Sequence, residues 1–265
     1  MTEPLIEFKN VTKRFGELTV LDGVDLSIYK GDVTTIIGKS GVGKSVLIKH
    51  IIGLLSPDAG VILYEGKSLS SLTRKEKKRL KQNISYMFQH NALFDSMTVF
   101  DNIALPLREK TNLPSGEIRK RVMEQIKSLE LGHVPNKYPS QLSGGMQKRT
   151  ALARALITNP KVVLFDEPTT GLDPIRKNSV LTMIAHYQRA FGFTAVLVSH
   201  DIPDVFYISN RTALIEEGKI LFQGSPIEIE QSAHPVVSKF TRSLTALKDD
   251  LTGLCNRKEL EARYR

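Results

Sequence analysis

Gly38-Lys-Ser-Gly-Val-Gly-Lys-Ser45 fits the pattern G-x-x-x-x-G-K-[ST], and each position has a chemical reason. Gly38, Gly41 and Gly43 let the backbone wrap closely around phosphate oxygens, where a Cβ would block positive-φ turns. The N–H groups along 38–46, including those of Lys39, Ser40, Val42 and Val46, face the anion together with the N-terminus of the next helix. Lys44 can reach the β- and γ-phosphates of a nucleotide, and the Ser45 hydroxyl can coordinate Mg²⁺. The flanks agree. Val33 to Ile37 is a β-branched run suited to a buried strand, and Val46 to Leu55 reads as an apolar helix. Ser56-Pro-Asp-Ala-Gly60 closes that helix with turn residues.

Outward from the loop, Leu5 to Val11 and Val24 to Ile28 alternate in the strand manner, and Val61 to Tyr64 adds a further strand. From Leu72 to about Thr158 the pattern is mostly helical, broken by a short strand at Ile84 to Phe88. Val162 to Phe165 and Thr194 to Ser199 read as buried strands around a helix that opens at Pro174 and runs to Phe191. Arg211 to Gln223 reads as a hairpin turning at Glu217-Gly218. The sum is an α/β fold: a P-loop NTPase core with a parallel sheet, an antiparallel β subdomain and an inserted α-helical subdomain. The expected divisions are a nucleotide-binding unit over 1–226, its helical insertion at about 90–160, and a helical tail over 227–265.

Val162-Val-Leu-Phe-Asp-Glu167 is an apolar strand ending in two acids. Asp166 at the strand tip can hold Mg²⁺ through its water shell, and Glu167 can orient or deprotonate an attacking water. Beside a phosphate loop, that pair points to ATP hydrolysis rather than nucleotide sensing.

The 265 residues carry 41% apolar and 25% charged side chains, ordinary for a globular protein. No apolar run nears the ~20 residues that span a bilayer, and residues 1–6 show no basic-then-apolar leader pattern. One cysteine, Cys255, excludes a disulfide framework and suits a reducing compartment. The net charge of +9 fits either a solvated basic surface or work near polyanions. The basic run at 74–81 lacks the aromatic interleaving of a base-stacking platform, so nucleic acid is not an expected partner.

Leu142-Ser-Gly-Gly-Met-Gln-Lys-Arg149 resembles the signature of the ATP-binding cassette (ABC) ATPases. The resemblance implies a second anion site, in which Ser143, Gly144 and Gly145 contact the γ-phosphate held by a partner subunit. Taken alone, Ser143 would be an ordinary helix N-cap. Phe15 lies where that family places an aromatic that stacks on adenine, although a core phenylalanine is the other reading. Gln89 matches the family's Q-loop glutamine, which senses Mg²⁺ and the γ-phosphate and links to the membrane subunit. Asp173, in Gly171-Leu-Asp-Pro174, matches the D-loop, and His200 matches the switch histidine at the γ-phosphate. The resemblance covers roughly Leu5 to Pro226. It implies a homodimer with two shared ATP–Mg²⁺ sites, bound peripherally to integral permease subunits at the cytoplasmic face of a bacterial inner membrane.

Residues 88–109 and Met146 are similar to the ATPases of Mla/Mce-type lipid transporters. That implies phospholipid cargo and lipid-binding envelope proteins as further partners. In this reading Leu93, Phe94, Met97, Val99 and Phe100 form a groove for the permease's coupling helix. An importer of a polar solute such as an amino acid is the alternative. A soluble ABC protein of DNA repair or translation is more remote, because this chain has one cassette, no long heptad insertion and one cysteine. Residues 249–260 resemble the opening segment of diguanylate cyclase domains, but the catalytic element of those enzymes is missing, so no cyclase activity is expected.

Overall fold

A computed structural model describes residues 3–87, 92–200, 202 and 204–238. Gln89 and the tail beyond 238, with Cys255 and the cyclase-like stretch, lie outside the described residues. Two sheets form the frame. A six-stranded sheet has the order β10 (Lys219–Gly224), β9 (Arg211–Glu216), β3 (Val33–Ile37), β8 (Thr194–Ser199), β7 (Val162–Asp166), β6 (Ile84–Met87), and a four-stranded antiparallel sheet has the order β2 (Leu18–Ile28), β1 (Ile6–Phe15), β4 (Ala59–Tyr64), β5 (Lys67–Ser68).

The large sheet is built on β3 (Val33–Ile37), β6 (Ile84–Met87), β7 (Val162–Asp166) and β8 (Thr194–Ser199), which run parallel, with β9 (Arg211–Glu216) parallel to β3. β10 (Lys219–Gly224) returns antiparallel along β9 as the expected hairpin. Every residue of β3 and β8 is buried, which is why these segments read as unbroken apolar or β-branched runs. Pleating divides them between two cores. Ile36, Val162, Leu164, Val196 and Val198 face one side, where α1 (Lys44–Ile51) packs with β1 (Ile6–Phe15) and β2 (Leu18–Ile28). Ile37, Val163, Phe165, Ala195 and Leu197 face the other, against α6 (Pro174–Phe191) and the helical lobe. Each such fully buried side chain stabilises the fold by about 1.5–3 kcal/mol relative to exposure.

The small sheet adds β4 (Ala59–Tyr64) and the two-residue β5 (Lys67–Ser68). α2 (Arg74–Asn83) starts at a capping box between Thr73 and Glu76 and buries only Leu80. The lobe comprises α3 (Val99–Lys110), α4 (Ser115–Ser128) and α5 (Gly144–Leu156). α6 begins where expected, with Asp173 as N-cap and Pro174 in the first turn, and stops at Gly192 (φ 68°). α1 begins at Lys44 and ends at Ile51, earlier at both ends than its apolar run suggests. The described part of the tail holds α7 (Pro226–Glu230) and a short helical turn at 235–238.

The expected groove needs correction. Val99 is fully buried and Leu93 and Phe100 pack on the lobe's own core, while Phe94 stays half exposed. Thr98 caps α3 by accepting from Asp101 N (3.1 Å), and this turns Val99, Ile103 and Leu107 inward on one helical face. A groove of about 530 Å³ does exist there. It is lined by Phe94 with Leu54, Leu105, Pro106 and Arg154, not by the inward set.

Candidate active site

Parallel strands place their C-terminal ends at one edge, where α/β sheets bind ligands. Here β3 delivers Gly38, β7 delivers Asp166 and Glu167, and β8 delivers His200, while β6 ends two residues before Gln89. The register fixes the alignment, with Ile37 opposite Ser199 and Asp166 opposite Val198.

The phosphate loop leaves β3 at Gly38 and enters α1 at Gly43, whose φ of 108° suits only glycine. Gly38 is buried against β9, and an added Cβ would sit 2.3 Å from Ile215 O. Lys44 is 4% exposed, and its ammonium donates to Gly38 O and Lys39 O, both at 2.8 Å. Burial pushes its pKa down, opposed by the nearby charges of Glu167 and Asp166. Glu167 Oε1 is 3.9 Å from Lys44 Nζ. The Lys39 side chain points away and pairs with Glu216, so only its backbone belongs to the loop.

Ser45 Oγ donates to Asp166 Oδ1 (3.0 Å), and Tyr86 OH donates to Asp166 Oδ2 (2.5 Å). Burial, with this bond to a carboxylate, raises the Tyr86 pKa, so the phenol stays a donor. A hydroxyl and a carboxylate side by side form a hard-oxygen donor set suited to Mg²⁺ with phosphate and water completing the shell.

Glu167 sits at φ 49°, a left-handed conformation uncommon outside glycine. Its N–H donates to Val198 O (3.0 Å), and its Oε2 accepts from Thr170 Oγ1 (2.8 Å) and lies 3.4 Å from His200 Nδ1. The carboxylate is thus held between the buried lysine and the half-exposed histidine.

Phe15, at the end of β1, is 47% exposed with Lys13 Nζ over its ring, 5.5 Å from the centroid, which removes the core reading. Ser143, Gly144 and Gly145 form the exposed start of α5, where Ser143 Oγ accepts from Met146 N (3.3 Å). No hydrogen bond or ion pair ties them to the phosphate loop among the described residues. Asp173 is likewise occupied as the cap of α6 and pairs with Arg176 (3.2 Å). Tyr86, Thr170 and Lys148 were not among the residues expected from sequence. Lys148 Nζ donates to Pro168 O at 2.6 Å, beside Glu167.

Residues 21–170 match the family described as ABC transporter. The chain is 37% identical over 242 residues to an intermembrane phospholipid transport system ATP-binding protein of Haemophilus influenzae, covering 91% of this chain and 92% of that one. It is 40% identical over 245 residues to a methionine import ATP-binding protein of Shouchella clausii, covering 91% and 70% respectively. A dimeric ATP-binding cassette solved in a post-hydrolysis state with ADP and Pi superposes with a TM-score of 0.71 at 32% identity, over 83% of this chain and 98% of that one.

Proposed function

This chain belongs to the ABC transporter family as an ATP-hydrolysing subunit, and on that premise we propose that it drives movement of phospholipids or related lipids across a bacterial envelope. The observation that carries the lipid reading is the 37% identity to a phospholipid-transport relative across 91% of this chain. Residues 88–109 and Met146 point the same way. The higher identity to the methionine-import protein favours the second reading, an amino-acid importer.

In the proposed mechanism the phosphate loop and Lys44 hold the β- and γ-phosphates, while Phe15 stacks on adenine. Ser45 and Asp166 would hold Mg²⁺, which would supply charge neutralisation on the phosphates. Tyr86 keeps the Asp166 carboxylate oriented, and Gln89 takes the Mg²⁺- and γ-phosphate-sensing role that the family resemblance implies. Glu167 accepts the proton of the attacking water. Its neighbours Lys44 and His200 keep it aimed, and His200 also faces the γ-phosphate. A second copy supplies Ser143, Gly144, Gly145 and Asp173, so two copies share two sites and close on ATP, as the dimeric cassette relative suggests. The Phe94–Leu105–Pro106 groove receives a coupling helix from the permease, placing the chain at the cytoplasmic face, with lipid-binding envelope proteins beyond. The cassette at 1–226, with its 90–160 insertion, does this work; nucleic acid plays no part.

The test is to purify the complex from membranes and identify what travels with it. Phospholipid and an envelope lipid-binding subunit are expected. A soluble amino-acid-binding protein and no lipid would replace this reading with the second one.

A further inference from the structure

Lys148 is an expensive residue for its location. It lies on α5, is 9% exposed, and burial lowers its pKa. Its neighbours in that helix, Ala151 and Leu152, show that apolar side chains fill the same layer. A methionine would pack there without the desolvation of an ammonium. What the charge gains is the 2.6 Å hydrogen bond to Pro168 O. Proline has no N–H, so that carbonyl is the only backbone polar group through which position 168 can be held. It follows directly on Glu167, whose φ of 49° needs its surroundings to maintain it. Glu167 itself is tied by its own turn, by β8 and by the phosphate loop: Thr170 Oγ1 at 2.8 Å, Thr170 N to Glu167 O at 3.3 Å, Glu167 N to Val198 O at 3.0 Å, His200 Nδ1 at 3.4 Å and Lys44 Nζ at 3.9 Å. Lys148 alone among these brings in the helical lobe.

Lys148 also stands five residues from Ser143, roughly 7.5 Å along the same rigid helix. We propose that Lys148 is a positioning residue that couples the two shared sites: phosphate captured by Ser143, Gly144 and Gly145 fixes α5, and Lys148 passes that position to Glu167 of its own chain. The inference rests on the shared-site reading above. Each chain would then hydrolyse its nucleotide fastest once its signature has engaged the partner's, giving positive cooperativity.

The experiment uses full-length chains and three ATPase readouts: kcat, nucleotide affinity and the Hill coefficient. Lys148→Met should lower kcat by about 10-fold or more through misplacement of the base, with affinity within about twofold and a Hill coefficient falling toward 1. Lys148→Arg, which keeps a charged donor, should recover most of kcat. Unchanged kcat and cooperativity in Lys148→Met, or an affinity loss equal to the kcat loss, overturns the proposal.

Mixed dimers separate this claim from the reading beneath it. A Ser143→Arg chain paired with a Lys44→Ala chain retains one intact site and should keep part of the wild-type activity. Inactivity of that pair, with heterodimers present, refutes site sharing itself. Adding Lys148→Met to the Ser143→Arg chain should then abolish most activity, because the surviving site uses that chain's Glu167. Adding it to the Lys44→Ala chain should leave activity unchanged. The reverse pattern, or loss in both pairs, contradicts the proposal.

Discussion

The Gly38→Ala substitution sets a Cβ 2.3 Å from Ile215 O and 3.0 Å from both Ile215 Cγ2 and Val42 Cγ1. To reach even the shortest tolerable contact, the backbone at 38 or at 215 must move by roughly 0.7 Å in a close-packed interior. Ile215 cannot give easily. It is fully buried in β9, which is paired to β3 through Ala213 and Leu214 and to β10 through Ile215 itself. The phosphate loop therefore moves, and it carries Gly38 O and Lys39 O, the two acceptors that anchor the Lys44 ammonium. Overpacking of this kind costs about 1–3 kcal/mol of stability. Losing one charged hydrogen bond at the phosphates costs about 1.5–3 kcal/mol of binding, hence roughly a 10-fold or greater fall in ATP affinity. Urea unfolding and titration with a fluorescent ATP analogue measure the two effects separately. Gly31→Ala is the control, because its φ of 80° is equally unusual but nothing lies within 4 Å of the added methyl. It should cost about 1–2 kcal/mol of stability and no affinity. A Gly38→Ala protein with wild-type stability and wild-type affinity would refute the packing argument and the placement of the loop.

Two further outcomes follow from the same geometry. Lys44→Ala should weaken ATP binding by about 1.5–3 kcal/mol, since a charge-assisted contact is lost; unchanged affinity removes Lys44 from the site. Thr98→Val should destabilise the lobe by about 1 kcal/mol through loss of the α3 cap, read by urea unfolding. The Thr98 hydroxyl, with help from Arg108, holds the Asp101 carboxyl below its ordinary value of 3.8. Such a depressed carboxylate stabilises the fold above 3.8 and loses that contribution as pH falls through its lower, folded value, so the gap between wild type and variant should narrow only in that acid range. A gap that is constant down to acid unfolding would remove Thr98 as the cause.

The phosphate loop and the two acids were legible because their chemistry is local: glycines where the backbone must turn, and carboxylates at the tip of an apolar strand. The parallel sheet was legible because strands covered on both faces read as continuous apolar runs. The lobe's inner face was not. Leu93, Phe94, Met97, Val99 and Phe100 are all apolar, and only the three-dimensional cap at Thr98, together with the buried Asn102, decides which of them face in. Asn102 Nδ2 donates to the carbonyls of Phe94, Met97 and Thr98, each at 3.1 Å, and this holds Phe94 outside. Tyr86 and Lys148 were missed because their partners are distant in sequence. Tyr86 finds Asp166 across paired strands, and Lys148 finds Pro168 from a different element, so neither leaves a local pattern.

The central claim is that Glu167, held between Lys44 and His200, accepts the proton of the water that attacks ATP. Glu167→Gln keeps the side chain's shape and its bond from Thr170 but removes the proton acceptor. Phosphate release by the full-length variant, measured at saturating ATP and Mg²⁺, tests this directly. Turnover should fall by a factor on the order of 10²–10⁴ while nucleotide still binds. Turnover close to wild type would contradict the claim.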